Sequence, residues 1–545
     1  MPHTRIRPLT LALLLGSLLV IPLLAGRANA GIDTAPNPAA SEREFPFRVN
    51  TSLLPNSKEN TNAIAQNDGG AAATIVMDFY TPGGVLIGAA SQVFTDVPAG
   101  GTRTFVQAVN SGLVPGFRGV GVLSSDQPIN ALLVRDIEGP AGIKSYSIHS
   151  ATATGGTTVA VPFVANKLDG IFNVRFAIAN VSTSVACITV EYGFVPGSGS
   201  VGAGGRAPLT DSGPGGSGCA IGYAIPVGGQ LTFAPDTVDG ATAMPASTAN
   251  TLMSATITAI TGRVTVAADA YRMHPNGKQL ASYDGFVVDT MASTTDDVST
   301  DVILPLGLKT ADGFWSQFLF SNPWPTPATA TIVYTGTVNG GATEVFTVTV
   351  TVPANGVSNH GVYSGPSFGD VIPVGFIGAA RMTSDLPLAV VLFRGKMTFA
   401  GSFVDEDLYT AVNGIPAERA STTAKFPLVF RRVYNAGSLD GFNSWVSVSV
   451  ADGGTANVTL TTVNDTTTGA PGCDAAATYV STFTITGSFI FFQNLDDPAV
   501  NGLGANPGCL WGGMTIVSDS GIIAIANVTN DLLPGDNDGL YNGFQ

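Results

Sequence analysis

The chain has 545 residues, with 24 basic and 39 acidic side chains, a formal net charge of −15 and only 12% charged residues. That balance excludes the clustered Lys and Arg that nucleic acids and anionic membranes require, and so few charges exclude an acidic disordered chain. With 66 Gly and 34 Pro beside abundant Val, Thr, Ala and Phe, the composition is that of an all-β protein with a Thr, Ser, Asn and Gly surface.

Residues 1–30 read as a signal peptide. Arg5 and Arg7 form a positive start, residues 11–25 an apolar run, and Ala28-Asn29-Ala30 a small-x-small cleavage site. The mature chain is then expected to begin at Gly31 and to have no transmembrane segment. Residues 31–43, rich in Ala, Pro and Asn, read as an extended leader.

One module is then written four times: residues 44–150, 159–288, 301–413 and 425–545, called copies one to four below. Short Thr-, Ser- and Ala-rich linkers join them. Each copy opens with an apolar-Pro-apolar triplet: Phe45-Pro46-Phe47, Val161-Pro162-Phe163, Leu304-Pro305-Leu306 and Phe426-Pro427-Leu428. Next comes a strand that ends in Asn67, Asn180 or Asn322 in the first three copies. A β-branched strand follows, covering residues 74–80, 187–192, 330–334 and 457–460. Its alternation means one buried and one wet face.

A Pro-x-Gly/Asn-Gly reversal follows at Pro98, Pro226 and Pro353, with Thr486-Gly487-Ser488 in copy four. The last two strands meet at a turn where Gly119, Gly378 and Gly512 stand seven residues before Asp126, Asp385 and Asp519. Copy two keeps the spacing with Ala255 and Gly262. Tyr146, Tyr283, Tyr409 and Tyr541 close the copies. A period this long suits modules with separate cores rather than a solenoid. About seven strands per copy, with turn signals every 8–12 residues, predict four tandem antiparallel sandwiches of Ig-like type. Helices should be single turns at most. A Gly/Ser insertion at residues 196–218 of copy two should form a surface loop.

Four cysteines fall in two copies. One bridge per copy, Cys187 with Cys219 and Cys473 with Cys509, is the natural pairing in an oxidising compartment.

The order of Asn-ended strand, β-branched strand, Pro-x-Gly-Gly reversal and closing hairpin resembles the adhesion-related Ig-like modules that occur in tandem on exported bacterial proteins. The resemblance covers all four copies. It implies a cell-surface or extracellular scaffold and transfers no binding residues to this chain.

The motifs for chemistry are sparse. His149, His274 and His360 sit in different polar contexts and are expected to be exposed. Gly365-Pro366-Ser367-Phe368-Gly369 matches the nucleophile-elbow pattern but lacks a strand-turn-helix setting. Residues 197–202 match G-x-G-x-x-G without a βαβ unit. Asp536 and Asp538, and Asp405, Glu406 and Asp407, are candidates for calcium against a reading as solvated turns. Trp324, between two prolines, is the aromatic expected to be exposed for a ligand. Asn-x-Ser/Thr triplets occur at Asn50, Asn180, Asn457, Asn464 and Asn527. The sequence therefore predicts a secreted, non-enzymatic structural or adhesive protein of the cell surface or extracellular matrix. Its expected partners are other surface components, glycans or the chain itself. A carbohydrate-binding protein and a subunit of an ordered layer or fibre are the alternatives.

Overall fold

The computed structural model describes residues 42–51, 58–138, 144–151, 155–168, 170, 172–195, 207–216, 218–235, 240–274, 277–289, 297–311, 313–361, 371–396, 408–433, 441–465, 478–530, 535–536 and 538–545. The chain is all-β, and its helices among these residues are 3-10 turns of three residues. No helix of the described residues is long and apolar enough to cross a membrane.

Copy one contains β1 (Glu42–Thr51), β2 (Lys58–Asn67), β3 (Ala73–Tyr80), β4 (Gln92–Val97), β5 (Thr102–Phe105), β6 (Arg118–Ser125), β7 (Ile129–Glu138) and β8 (Lys144–Ser150). Pairing gives a first layer in the order β4-β3-β6-β1 and a second in the order β5-β2-β7-β8, all antiparallel, with β1 also touching β2. The same neighbours recur downstream. In copy two, Ala186–Phe194, Thr251–Thr261 and Thr158–Asn166 make the first layer. Gln230–Ala234, Phe172–Asn180, Val264–His274 and Gly277–Asp284 make the second. In copies three and four a single 21-residue strand, Phe376–Lys396 or Leu510–Asn530, runs through the positions of both β6 and β7.

Local chemistry explains the punctuation. Strand β3 buries every second residue. The strand-ending asparagines are buried, and each satisfies its own loop. Asn67 Nδ2 donates to the carbonyls of Ala71 and Val97 at 2.7 and 2.8 Å, and its Oδ1 accepts from Gly69 N at 2.9 Å. Asn180 does the same with Ser184, Ile225 and Ser182, and Asn322 with Thr326, Pro353 and Trp324. One amide thus ties a strand end to the residue at the start of the next reversal. In that reversal Gly100, Gly228 and Asn355 take φ of 71°, 64° and 47°, the left-handed conformation that Gly and Asn tolerate best. At the closing hairpin, Asp126, Asp385 and Asp519 accept the backbone N–H of Thr74, Thr329 and Asn457 at 2.7–2.8 Å. In copy two, where Gly262 stands, Thr261 Oγ1 accepts from Cys187 N instead.

The two copy-wide signatures meet in space. Tyr283 OH donates to the carbonyl of Phe163, and Tyr541 OH to that of Leu428, each the third residue of its apolar-Pro-apolar triplet. Pro has no N–H to donate. Register slips beside the triplets of copies two, three and four place those prolines at bulges.

The expectation of separate cores does not hold. One buried cluster runs from Val159 through Phe163 to Phe393 and Ala411, joining copies two and three. A second joins Leu304 and Phe320 to Ile523 and Ile525, and a third joins Ile64 and Leu132 to Phe426 and Val446. The physical reason is that the opening strands of copies two, three and four are buried against the second layer of the following copy, and β1 of copy one lies beside that of copy two. Phe163 meets Phe393 with ring centroids 5.0 Å apart, and Ser447 Oγ donates to Pro305 O at 2.9 Å. Copy four returns to copy one. There Lys425 pairs with Asp68, Arg103 with Asp465 at 3.3 Å, and Tyr146 with Phe442 edge-on. The seams therefore run one to two, two to three, three to four and four to one, a closed circuit.

Candidate functional site

The four closing strands, β8, Gly277–Asp284, Leu408–Asn413 and Asp538–Asn542, contact one another in the same cyclic order at the middle of this circuit. Polar groups cross between them. Asn413 Nδ2 donates to Asp284 O at 2.9 Å, and Leu540 N donates to Thr410 Oγ1 at 2.9 Å. Gly535-Asp536 pairs in parallel with Lys144-Ser145. Where the strands leave this axis, Ser150, Asp284, Asn413, Arg419, Asn542 and Gln545 line a pocket of about 50 Å³. That volume suits a few waters and not an organic substrate.

The buried charges lie around the axis. His149, expected to be exposed, is 3% exposed and held between two carboxylates of copy two. Nε2 stands 3.1 Å from Asp269 Oδ1, and Nδ1 3.1 Å from Asp284 Oδ1. Burial lowers the imidazole pKa, but the bonds to Asp269 and Asp284 outweigh it and raise it to about 9. Arg135 bridges Glu59 of its own copy and Asp269 of the next. Burial opposes its charge, and the two carboxylates prevail and push its pKa up. His360 is also buried, with Nδ1 2.7 Å from Tyr334 OH. Burial, with Lys309 nearby, pushes it down to about 4. The expectation of exposure fails for both because their partners lie on distant strands.

The acidic candidates Asp536 and Asp538 are buried rather than solvated. Asp536 accepts backbone N–H groups from two other copies, Leu280 at 2.6 Å and Tyr409 at 2.9 Å. Asp538 pairs with Arg394 at 2.6 Å and accepts from Asn527. Burial raises the Asp538 pKa, with Arg394 opposing. Asp405, Glu406 and Asp407 lie outside the described residues. Among the described residues no group of three or more His, Cys, Asp or Glu is arranged to hold a metal.

Trp324 is half-buried, and its Nε1 donates to Pro387 O at 2.7 Å. It packs against the core shared by copies two and three, so it is not a free ligand platform. Asn180 and Asn527 are fully buried, which removes both as glycan acceptors in the folded chain. Cys187 and Cys219 are bridged, with Cα atoms 5.6 Å apart. Cys509 is buried and disulfide-bonded, and Cys473 lies outside the described residues. So do residues 1–30, read above as a signal peptide, Ser367 and its motif, and residues 197–202. The far end of the copy-two insertion is a short strand, Leu209–Asp211, paired with Ala186–Phe194.

Sequence reading missed one signal. Asp284-Gly285-Phe286, Asn413-Gly414-Ile415 and Asn542-Gly543-Phe544 end three closing strands alike and return the chain to pair with the opening strand, at Ala160, Ile303 and Lys425.

No family model and no curated protein matches the chain. Among solved structures, Escherichia coli alpha-2-macroglobulin activated by porcine elastase aligns at 9% identity and a TM-score of 0.11, over 93% of this chain and 44% of that one. The chain spans less than half of that protein's length, and a likeness at this score carries no argument.

Proposed function

We propose that this protein is an exported, non-catalytic scaffold of the cell surface or extracellular matrix, built from four tandem Ig-like sandwich modules. One observation carries the reading. Among the described residues, the side chains around the axis that could do chemistry, namely His149, His360, Arg135, Arg394, Asp269 and Asp538, are buried and bonded to other protein groups. Five of these six join one copy to the next, and none faces a cavity that would admit an organic substrate through the axial pocket. Adhesive contact would then fall to the outer faces and edges of the circuit, where several weak contacts on one body gain from effective concentration.

The test has two arms. Fractionation of the source cells with N-terminal sequencing should find the chain outside the cytoplasm, beginning at Gly31. A panel of ester, peptide and glycoside substrates should detect no turnover by the purified protein. Retention inside the cell, or a hydrolytic activity abolished by Ser367→Ala or His360→Ala, would overturn the reading. Binding on a glycan array would turn it toward the carbohydrate-binding alternative.

A further inference from the structure

The seam between copies one and two and the seam between copies three and four use matching strands, and among the described residues only the first is filled. In copy one, Tyr80 lies opposite Val120 and Asp78 opposite Val122. The same register in copy three sets Thr335 opposite Ala379 and Val333 opposite Arg381. On the facing wall, Ala179 lies opposite Gln230 in copy two, and Ser449 opposite Ser488 in copy four.

In the first seam Tyr80 packs with Val120, Val122 and Ala179. The Gln230 amide, in the orientation that satisfies it, spans to the carbonyl and N–H of Gly119 at 2.9 and 3.3 Å. The segment after Tyr80 turns toward copy two. Pro82 O accepts from Gln230 N at 3.1 Å. Gly84, at φ 76°, lies so close that a Cβ there would stand 2.1 Å from Val227 O. An aromatic ring and the turn that follows it thus fill this seam.

In the second seam the ring is replaced by Thr335 and the long amide by Ser488, and the strand runs straight on through Gly336 to Val338. A groove of about 850 Å³ is left between the copies. Val333, Ile377 and Ala379 form one wall, and Ile490 and Phe492 the other. Ile377 and Phe492 remain 38% and 39% exposed, an apolar lining of ligand-site size that no other described residue covers.

We propose that this groove recognises an extended peptide segment of a partner protein that carries an aromatic side chain. The chain supplies its own template for that occupant. The ring would lie over Ala379 as Tyr80 lies over Val120, and the carbonyl two residues on would meet Ser488 as that of Pro82 meets Gln230. Arg381, Asp452, Ser449 and Ser488 also border the groove, but its larger part is the apolar lining of Val333, Ile377, Ala379, Ile490 and Phe492, which suits a ring better than a sugar, whose hydroxyls need several fixed polar partners. The proposal gives the scaffold reading a class of partner and rests on that reading only for where the partner is met. Its test uses purified protein, so its failure leaves localisation and lack of turnover untouched.

The probe is a fluorescently labelled peptide of residues 77–84, the segment that fills the first seam, titrated into the whole mature chain. Saturable binding is expected. It should weaken at least about tenfold with Thr335→Tyr, which fills the groove from within, and with a peptide whose tyrosine is replaced by alanine. Thr335 is exposed, so its replacement leaves the fold intact, which a thermal melt verifies. Lack of saturation at millimolar peptide, or binding indifferent to Thr335→Tyr, overturns the proposal. Binding of an oligosaccharide, and not the peptide, that Thr335→Tyr blocks also overturns it.

Discussion

Arg135 and Arg394 occupy matching places, opposite Ser147 and Thr410 on the closing strand of their copies. Each reaches across a seam to an aspartate of the next copy, yet their surroundings differ. Arg135 lies between Glu59 and Asp269, with Asp284 beyond His149. Arg394 has Asp538, the ring of Phe314 4.0 Å from its guanidinium carbon, and that of Trp445 at 5.2 Å. The carboxylates drive the Arg135 pKa up. For Arg394, burial prevails over Asp538 and Asp536 and drives it down. The first seam holds three carboxylates for one guanidinium, and that surplus keeps His149 protonated. The second bonds the cation to one aspartate, Asp538, with Asp536 nearby, and wraps it in aromatic faces. The same geometry is thus sealed by charge in one place and by rings in the other.

The comparison breaks most sharply if the two arginines prove equivalent. Arg135→Met leaves Glu59 and Asp269 buried without their cation and should cost about 3–5 kcal/mol in urea unfolding. Arg394→Met should cost less, because Asp538, whose pKa burial already raises, can take a proton. Equal losses would mean that the carboxylate surplus is immaterial.

A titration sharpens the role of His149. Its folded pKa, about 9, exceeds the unfolded value near 6.5. Its contribution is therefore complete below pH 6.5 and is lost as pH rises through 9, up to about 3 kcal/mol in all. Replacement by Gln should flatten that alkaline limb in unfolding curves taken between pH 6 and 10. His360 has the opposite sign. With its folded pKa near 4, its contribution is present above pH 6.5 and lost as pH falls toward 4. A His360→Gln protein should be less sensitive on the acid side only.

The smallest effect belongs to the apolar part of the first seam. Tyr80 is half-buried, and Tyr80→Thr, which copies the second seam into the first, should cost about 1–2 kcal/mol. A lowered melting temperature checks it, and an unchanged one would mean that the ring adds nothing to that contact.

What could be read in the sequence was the chemistry that closes over short range. Asn67, Asn180 and Asn322 bond to groups two and four residues ahead, and the Asp of the closing turn reaches the start of one neighbouring strand. Residue type and position suffice for such contacts. The tyrosines were visible but stood in two registers. Tyr283 and Tyr541 lie one residue before the Asp-Gly or Asn-Gly step and reach the triplet carbonyl. Tyr146 and Tyr409 lie several residues earlier, where Tyr146 meets Phe442 and Tyr409 stacks on Phe393. The burial of His149 and Asp536 was not legible, because their partners sit more than 100 residues away. No local pattern distinguishes an acid that receives two backbone N–H groups across an axis from one in a solvated turn.

Every seam in the circuit joins an opening strand to a different surface, the second layer of the following copy, so no copy can satisfy itself by meeting its own like. Surfaces of that kind come to rest only when the series closes. Within one chain, short linkers hold the fourth copy near the first, and intramolecular closure wins at low concentration. If that last seam came apart, its buried cluster of Ile64, Leu132, Phe426 and Val446 undone together with the Lys425–Asp68 and Arg103–Asp465 pairs, one end would offer an opening strand and the other the layer it fits. The next molecule could then complete the contact, and the next after that. One seam therefore stands between a self-contained particle and a filament of indefinite length.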